Sequence, residues 1–262
     1  MSRFDIASRL LEDEAAPSGW CNLGDWSTAS TFAEACRALA IRVGEAAGMR
    51  AGGSVLDLGF GGGASLALWA DKFDVARVDG VELRTDQVCS AGRSIAANLH
   101  TGDVFTVLSS LEESYDSVVS VDAAYHFGSL SQLLSRVAPR LVPSGRIALT
   151  TLAWPAVDSR SSRWLWRRGL ALAAIPEAAV VRLDQLFTVA DSAGLCDCRV
   201  KILDEPVMVG FSEFIRRRPM PVDADGRKAP GWRKISATAR LCGSATKTRQ
   251  LHYVLLSAEK KP

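Results

Sequence analysis

No apolar run in the sequence reaches the roughly 18 residues that crossing a bilayer as a helix requires, and the longest candidate, residues 169–181, is interrupted by Pro176 and Glu177. A surplus of either charge is also missing: 31 Lys and Arg stand against 29 Asp and Glu, a net charge of +2. That balance argues against a dedicated nucleic-acid binder, because neutralising phosphates needs a basic excess on one face. Paired cysteines are absent too. Cys21, Cys36, Cys89, Cys196, Cys198 and Cys242 are scattered, and the alternate spacing of Cys196 and Cys198 suits one face of a strand rather than a metal site, since no second Cys or His pair follows. No secretory apolar segment precedes them, so the expectation is a reducing, cytoplasmic setting without bound metal and without a membrane span.

What is present suffices for a full core. The 262 residues are 48% hydrophobic and 23% charged, which is a globular composition and room for one large domain, residues 1–262. Residues 1–50 read as an irregular arm followed by a cap helix. Thr28 or Ser30 can cap that helix, and Phe32, Ala35, Cys36, Leu39, Ala40 and Val43 recur at helical spacing up to Gly48. Residues 51–153 alternate short apolar strands with helices: strands at 55–58, 77–83, near Leu99, 117–121 and 145–152, and helices at 64–73, 85–97 and 130–141. Such alternation predicts an α/β fold with a mostly parallel, doubly wound sheet and ligands at the carboxyl ends of its strands. Residues 154–186 break the pattern with three Trp and, between Pro155 and Leu170, four Arg, and read as an inserted lid. Residues 187–262 return to the sheet, through a helix over 183–193, a strand at 198–203, a helix at 210–218, a basic loop and a last strand at 251–257.

The sharpest local feature is Val55-Leu56-Asp57-Leu58-Gly59-Phe60-Gly61-Gly62-Gly63. A carboxylate at a strand end precedes a turn made almost wholly of glycine, and the helix that follows presents free N–H groups to whatever the turn holds. Nineteen residues beyond Gly63, Glu82 closes the next strand, where a carboxylate can accept both ribose hydroxyls. Together these describe a nucleoside site. Gly59, Gly61 and Ala64 also satisfy the dinucleotide fingerprint, so a nicotinamide-dependent dehydrogenase is the competing enzyme reading, and a non-catalytic cofactor-binding partner protein is the non-enzymatic one. Asp57 weighs against a pyrophosphate so near the turn and in favour of a cationic ligand such as S-adenosylmethionine.

At these residues the chain resembles the class I S-adenosylmethionine-dependent methyltransferases, in the small-molecule branch that includes ubiquinone, tocopherol and sterol methyltransferases. Asp57, Gly59, Gly61 and Gly63 match the glycine motif and Glu82 the second-strand acid. Gly102-Asp103 looks like the adenine-contacting pair, Asp122 to Phe127 like the segment after strand four, and Leu141 to Arg146 like the "L-x-P-G-G" turn, with Ser144 replacing the first glycine. Phe60 and Asp25 depart from the family pattern. The resemblance implies a Rossmann-like, seven-stranded sheet with an N-terminal helical cap. It also implies that Asp57 and Gly59 hold the methionine end, Glu82 the ribose and Asp103 the adenine amino group, with Leu83 and Val104 sandwiching the ring and Asp122 lining the inner edge. Trp26 or Phe32 is the expected ring contact from the arm.

Methyl transfer from a sulfonium needs an aligned acceptor and, where the acceptor carries one, removal of a proton. His126 is the candidate base, with Tyr125 beside it; packing beneath the lid is the alternative role for both. Trp154, Trp164 and Trp166, backed by Leu165, Leu170, Leu172 and Ile175, can wall an aromatic acceptor chamber or form a core-facing helix. Arg216, Arg217, Arg218, Arg227, Lys228, Arg233 and Lys234 can dock an anionic substrate group or face solvent. His100 and His252 look peripheral. The expectation is a methyltransferase acting on a small, partly apolar organic acceptor in specialised metabolism, with C-, N- and O-methylation all open.

Overall fold

The computed structural model describes residues 7–12, 19–92, 96–156, 166–171, 173–222 and 229–262. Trp164, Leu165, Leu172, Arg227 and Lys228 lie outside the described residues. The strands are β1 (Ser54–Leu58), β2 (Arg77–Glu82), β3 (Asn98–Thr101), β4 (Tyr115–Ser120), β5 (Leu141–Trp154), β6 (Val181–Arg182), β7 (Leu195–Ile202) and β8 (His252–Lys260). They hydrogen-bond in the order β3-β2-β1-β4-β5-β8-β7. The first five run parallel, and β8 is antiparallel to both its neighbours. Two-residue β6 pairs with the end of β5, an eighth strand beyond the seven expected.

The chain order reverses between β1 and β4, which opens a crevice at their carboxyl ends. Strand residues alternate between two cores as the pleat requires. Val55, Val78, Val119 and Ala148 pack against α1 (Phe32–Ala46) and α2 (Ala64–Phe73) on one face. Leu56, Leu58, Val118 and Leu149 pack against α4 (Val104–Ser110), α5 (Leu130–Val137) and α6 (Leu186–Ser192) on the other.

Several boundaries differ from the sequence pattern. Thr31, not Thr28 or Ser30, caps α1, because Glu34 three residues on completes a reciprocal capping box. Helix α3 spans Thr85–Ala91 and closes on Gly92, short of Ala97. The seven-residue α4 went unread because Asp103, seen only as a ligand contact, is also its N-cap. The expected basic loop holds the longest helix here, α8 (Trp232–Thr248), which buries Trp232, Ile235, Ala239, Cys242 and Ala245 against the first core. Its many polar and small residues hid that stripe. It packs against α7 (Gly210–Arg217).

Candidate active site

β1 ends by burying Asp57. Oδ2 accepts from Ser65 Oγ at 2.7 Å and from Trp69 Nε1 at 2.8 Å, both donors coming from α2. Oδ1 is buried without a hydrogen-bond partner. Burial pushes this carboxyl up to about 6, against the pull of those two donors. A buried carboxylate with one bare oxygen is a place where a cation is stabilised.

The glycine turn follows with left-handed backbone at Gly59, φ 81°, where a Cβ would lie 2.4 Å from that of Ala123. The arm crosses this turn closely enough that a Cβ on Gly62 would lie 2.6 Å from the Gly19 carbonyl oxygen. Glu82 closes β2, its Oε2 accepting from the Gly61 amide at 3.0 Å and its Oε1 from the backbone and guanidinium of Arg84, each at 3.1 Å. Oε2 keeps a further lone pair for a ligand hydroxyl, while Oε1 already accepts twice. Asp103 spends Oδ1 on capping α4 through Phe105 N and Thr106 N, at 3.0 and 3.1 Å. Asp57, Gly59, Gly61, Glu82, Leu83, Asp103, Val104 and Asp122 all line one cavity of about 1110 Å³, including its open mouth. Leu83 is 55% exposed there. Gly63 stands outside the wall and instead starts α2 in left-handed conformation.

At the end of β4, Asp122 also adopts a left-handed φ of 59°, an uncommon state for a residue with a side chain. Its amide donates to Thr150 Oγ1 at 2.7 Å, its Oδ1 accepts from Tyr125 at 2.7 Å and Tyr253 at 2.8 Å, and its Oδ2 accepts from Leu23 N at 2.5 Å. Burial raises this carboxyl despite those donors, and burial together with the Asp122 charge raises both phenols far above their usual range. His126 follows, stacked edge-on against Tyr125 with ring centroids 4.7 Å apart. Its Nδ1 lies 3.1 Å from the Ala174 carbonyl oxygen. A carbonyl only accepts, so Nδ1 carries the proton and the neutral ring's lone pair is on Nε2. Burial lowers the imidazole pKa, the Ala174 hydrogen bond opposes it, and the Lys234 charge lowers it further.

A second cavity, of about 1160 Å³ with its opening, shares Cys21, Asp122 and His126 with the first. Its walls are mostly aliphatic, with Leu170, Ile175, Met208 and Leu241 among them. Of the three tryptophans read as an aromatic acceptor chamber, Trp164 lies outside the described residues. Trp154 and Trp166 are buried in the first core and reach neither cavity. Trp26 stacks on Phe214 with centroids 4.2 Å apart and donates Nε1–H to the Leu23 carbonyl at 2.8 Å, which fixes it as packing. Phe32 is buried in α1. The arm reaches the first cavity through Gly19, Trp20, Cys21 and Asn22, and Trp20 is the aromatic among them.

Sequence reading also missed Cys21, Tyr253 and Thr238, and took Lys234 only as one of a basic set that can dock an anionic group or face solvent. Tyr253 belongs to an apolar strand whose alternation was the only signal. Lys234 and Thr238 depend on recognising α8. Of the remaining basic residues, Arg216 and Arg217 reach Glu213, and Arg218 lies over the Phe214 ring.

Residues 55–145 match the family model described as a methyltransferase domain. Those residues form a methyltransferase domain, and the chain is an S-adenosylmethionine-dependent methyltransferase. The dehydrogenase and non-catalytic readings of the same glycine turn give way to that match. Among curated proteins it is similar to the erythromycin 3''-O-methyltransferase of Saccharopolyspora erythraea, 29% identical over 232 residues that cover 83% of this chain and 76% of that one. Among solved structures it is similar to a mycolic acid cyclopropane synthase complexed with S-adenosylhomocysteine, with TM-score 0.74, 17% identity and coverage of 98% and 95% of the two chains. A sarcosine dimethylglycine methyltransferase from Galdieria sulphuraria, itself assigned provisionally, superposes with TM-score 0.71 at 18% identity over 92% of this chain and 93% of that one. The methyl donor suits the first cavity, because the bare Asp57 oxygen offers a buried negative charge to a ligand that carries an ammonium and a sulfonium. No helix among the described residues is long and apolar enough to cross a membrane.

Proposed function

We propose that this methyltransferase methylates a hydroxyl oxygen of a small, partly apolar organic acceptor seated in the second cavity, as part of specialised metabolism. The observation that carries the reading is His126: one ring borders both cavities, and its Nδ1 lies 3.1 Å from the Ala174 carbonyl oxygen, so the lone pair of the neutral ring is on Nε2. S-adenosylmethionine supplies an electrophilic methyl on a positively charged sulfur. The chain's own residues do the rest. Asp57 and Gly59 hold the methionine end, Glu82 the ribose, and Asp103, Leu83 and Val104 the adenine. Asp122 lines the donor's inner edge, and its hydrogen bonds to Tyr125, Tyr253 and Leu23 fix the partition between the two cavities.

His126 Nε2 accepts the hydroxyl proton as the oxygen becomes alkylated, and burial keeps the imidazole neutral and ready for that proton near pH 7. Aliphatic walls exclude water and align the acceptor. The relative named for erythromycin and a 3''-O position supports an oxygen acceptor. The test is incubation with methyl-labelled S-adenosylmethionine and fractionated metabolites, followed by mass spectrometry and NMR of the labelled product. Label on an oxygen supports the reading; label on nitrogen or carbon overturns it.

A further inference from the structure

Glu82 has less to offer a ribose than its place at the end of β2 suggests. A ribose presents two neighbouring hydroxyls, and a carboxylate accepts from both in a two-pronged grip only when each of its oxygens has an acceptor site to spare. Oε2 meets that condition, since it takes the Gly61 amide at 3.0 Å and keeps a second site. Oε1 does not, because the backbone N–H and the Nε–H of Arg84 both donate to it, each at 3.1 Å.

The Arg84 side chain therefore competes with one hydroxyl for one oxygen. It stands where that competition takes place: Arg84 lines the first cavity together with Gly61, Glu82 and Leu83. The ion pair is largely buried, with 17% of the arginine side chain and 9% of the glutamate side chain exposed, so solvent screens it little. Folding gives no strong reason for it, since a buried pair contributes little net stability. The following helix gives none either, because Arg84 is the N-cap of α3 without its side chain accepting or donating in the cap.

Building on the reading of Glu82 as the partner of the ribose, we propose that Arg84 is a positioning residue that occupies one of the two hydroxyl seats on Glu82, so that the carboxylate holds the adenosine end by a single hydroxyl. The consequence falls on the product. S-adenosylmethionine and S-adenosylhomocysteine carry the same ribose, so a tight grip there would hold both alike, whereas the sulfonium charge that Asp57 attracts exists only before transfer. Giving up one ribose hydrogen bond lets charge decide which of the two stays bound and eases release of the spent donor.

The test is calorimetric titration of S-adenosylhomocysteine and of its 2'-deoxy and 3'-deoxy analogues into the wild type and Arg84→Ala. In the wild type, removing one of the hydroxyls should weaken binding about tenfold, the ratio of one hydrogen bond to a charged group, and removing the other should change it less than about twofold. Arg84→Ala keeps the backbone donor and frees the other site on Oε1. It should bind S-adenosylhomocysteine about tenfold tighter than the wild type and lose about tenfold on removal of either hydroxyl. Equal losses for both analogues in the wild type, or an Arg84→Ala protein that binds S-adenosylhomocysteine no tighter, would overturn the proposal and leave Glu82 as the partner of the ribose. Loss with neither analogue in the wild type would overturn the reading of Glu82 and this proposal with it. The wild-type comparison needs no variant, so it decides the matter whether or not Arg84→Ala folds.

Discussion

The Trp69 indole N–H donates to Asp57 Oδ2 at 2.8 Å, on the same oxygen that Ser65 holds at 2.7 Å, so both protein donors crowd one side of the carboxylate and Oδ1 stays bare. Burial lifts the carboxyl from 3.8 to about 6. With the folded value above the unfolded one, the folded protein favours the protonated acid, and that advantage is lost as pH rises from about 4 to about 6. Above pH 6 the empty site holds a buried charge at a cost of roughly 3 kcal/mol, taking 1.36 kcal/mol per pKa unit. A cationic ligand offsets that cost only while Asp57 is ionised. Affinity for S-adenosylmethionine should therefore fall by up to about tenfold per pH unit below 6. Asp57→Asn should bind about tenfold or more weakly at pH 7.5 and lose the dependence. Calorimetry from pH 5 to 8 checks both, and a flat wild-type profile would contradict them.

Gly59 should not tolerate alanine. Its φ of 81° is strained for any residue with a Cβ, and the new methyl would sit 2.4 Å from the Ala123 Cβ. The left-handed cost alone is about 1–2 kcal/mol, and relieving the overlap would shift Ala123, which lines the first cavity just beyond β4. Gly59→Ala should lower the melting temperature by several degrees, at about 2–4 °C per kcal/mol in a chain of this size, and weaken S-adenosylhomocysteine binding. Wild-type affinity and stability together would show that the turn has room to spare.

How far the sequence disclosed this site depends on whether residues were adjacent in the chain. Asp57, Gly59, Gly61 and Glu82 sit at strand ends whose apolar runs are unmistakable, so their gathering around the first cavity was legible from local pattern. The second cavity joins segments far apart in sequence. Cys21 comes from the arm, Met208 from a π-helix at Asp204–Val209, Lys234 and Thr238 from α8, and Tyr253 from β8. No spacing rule links such positions. The tryptophans misled for a physical reason: Trp154 continues the apolar alternation of β5 into the core, and a large side chain stabilises most where fully buried.

Tyr125 and Tyr253 share one acceptor, and that predicts non-additive mutants. Each phenol donates to Asp122 Oδ1, at 2.7 and 2.8 Å. Tyr125→Phe or Tyr253→Phe alone leaves that oxygen one donor and should cost about 1 kcal/mol. The double variant strips both donors from a buried carboxylate oxygen, so its cost should exceed the sum of the two by roughly 1 kcal/mol or more. Denaturant unfolding of the four proteins gives the coupling. Strict additivity would mean that water or another donor replaces the phenols.

His126 separates chemistry from binding. Burial is the main cause of its lowered pKa, and Lys234 adds to it. In the folded protein the imidazole resists protonation, so the stability its environment confers is full above the ordinary value near 6.5 and falls as pH drops below it. As a base it should stay competent into the same range. The acid limb of kcat/KM should therefore lie below 6.5, and Lys234→Met should move it back upward. His126→Ala should cut kcat by on the order of 100-fold with little change in S-adenosylhomocysteine affinity, and should remove the limb. Single-turnover rates across pH, set beside calorimetry, read both quantities. A limb unchanged in His126→Ala would assign the proton to another group, and a parallel loss of donor affinity would make His126 a wall of the first cavity instead of a base.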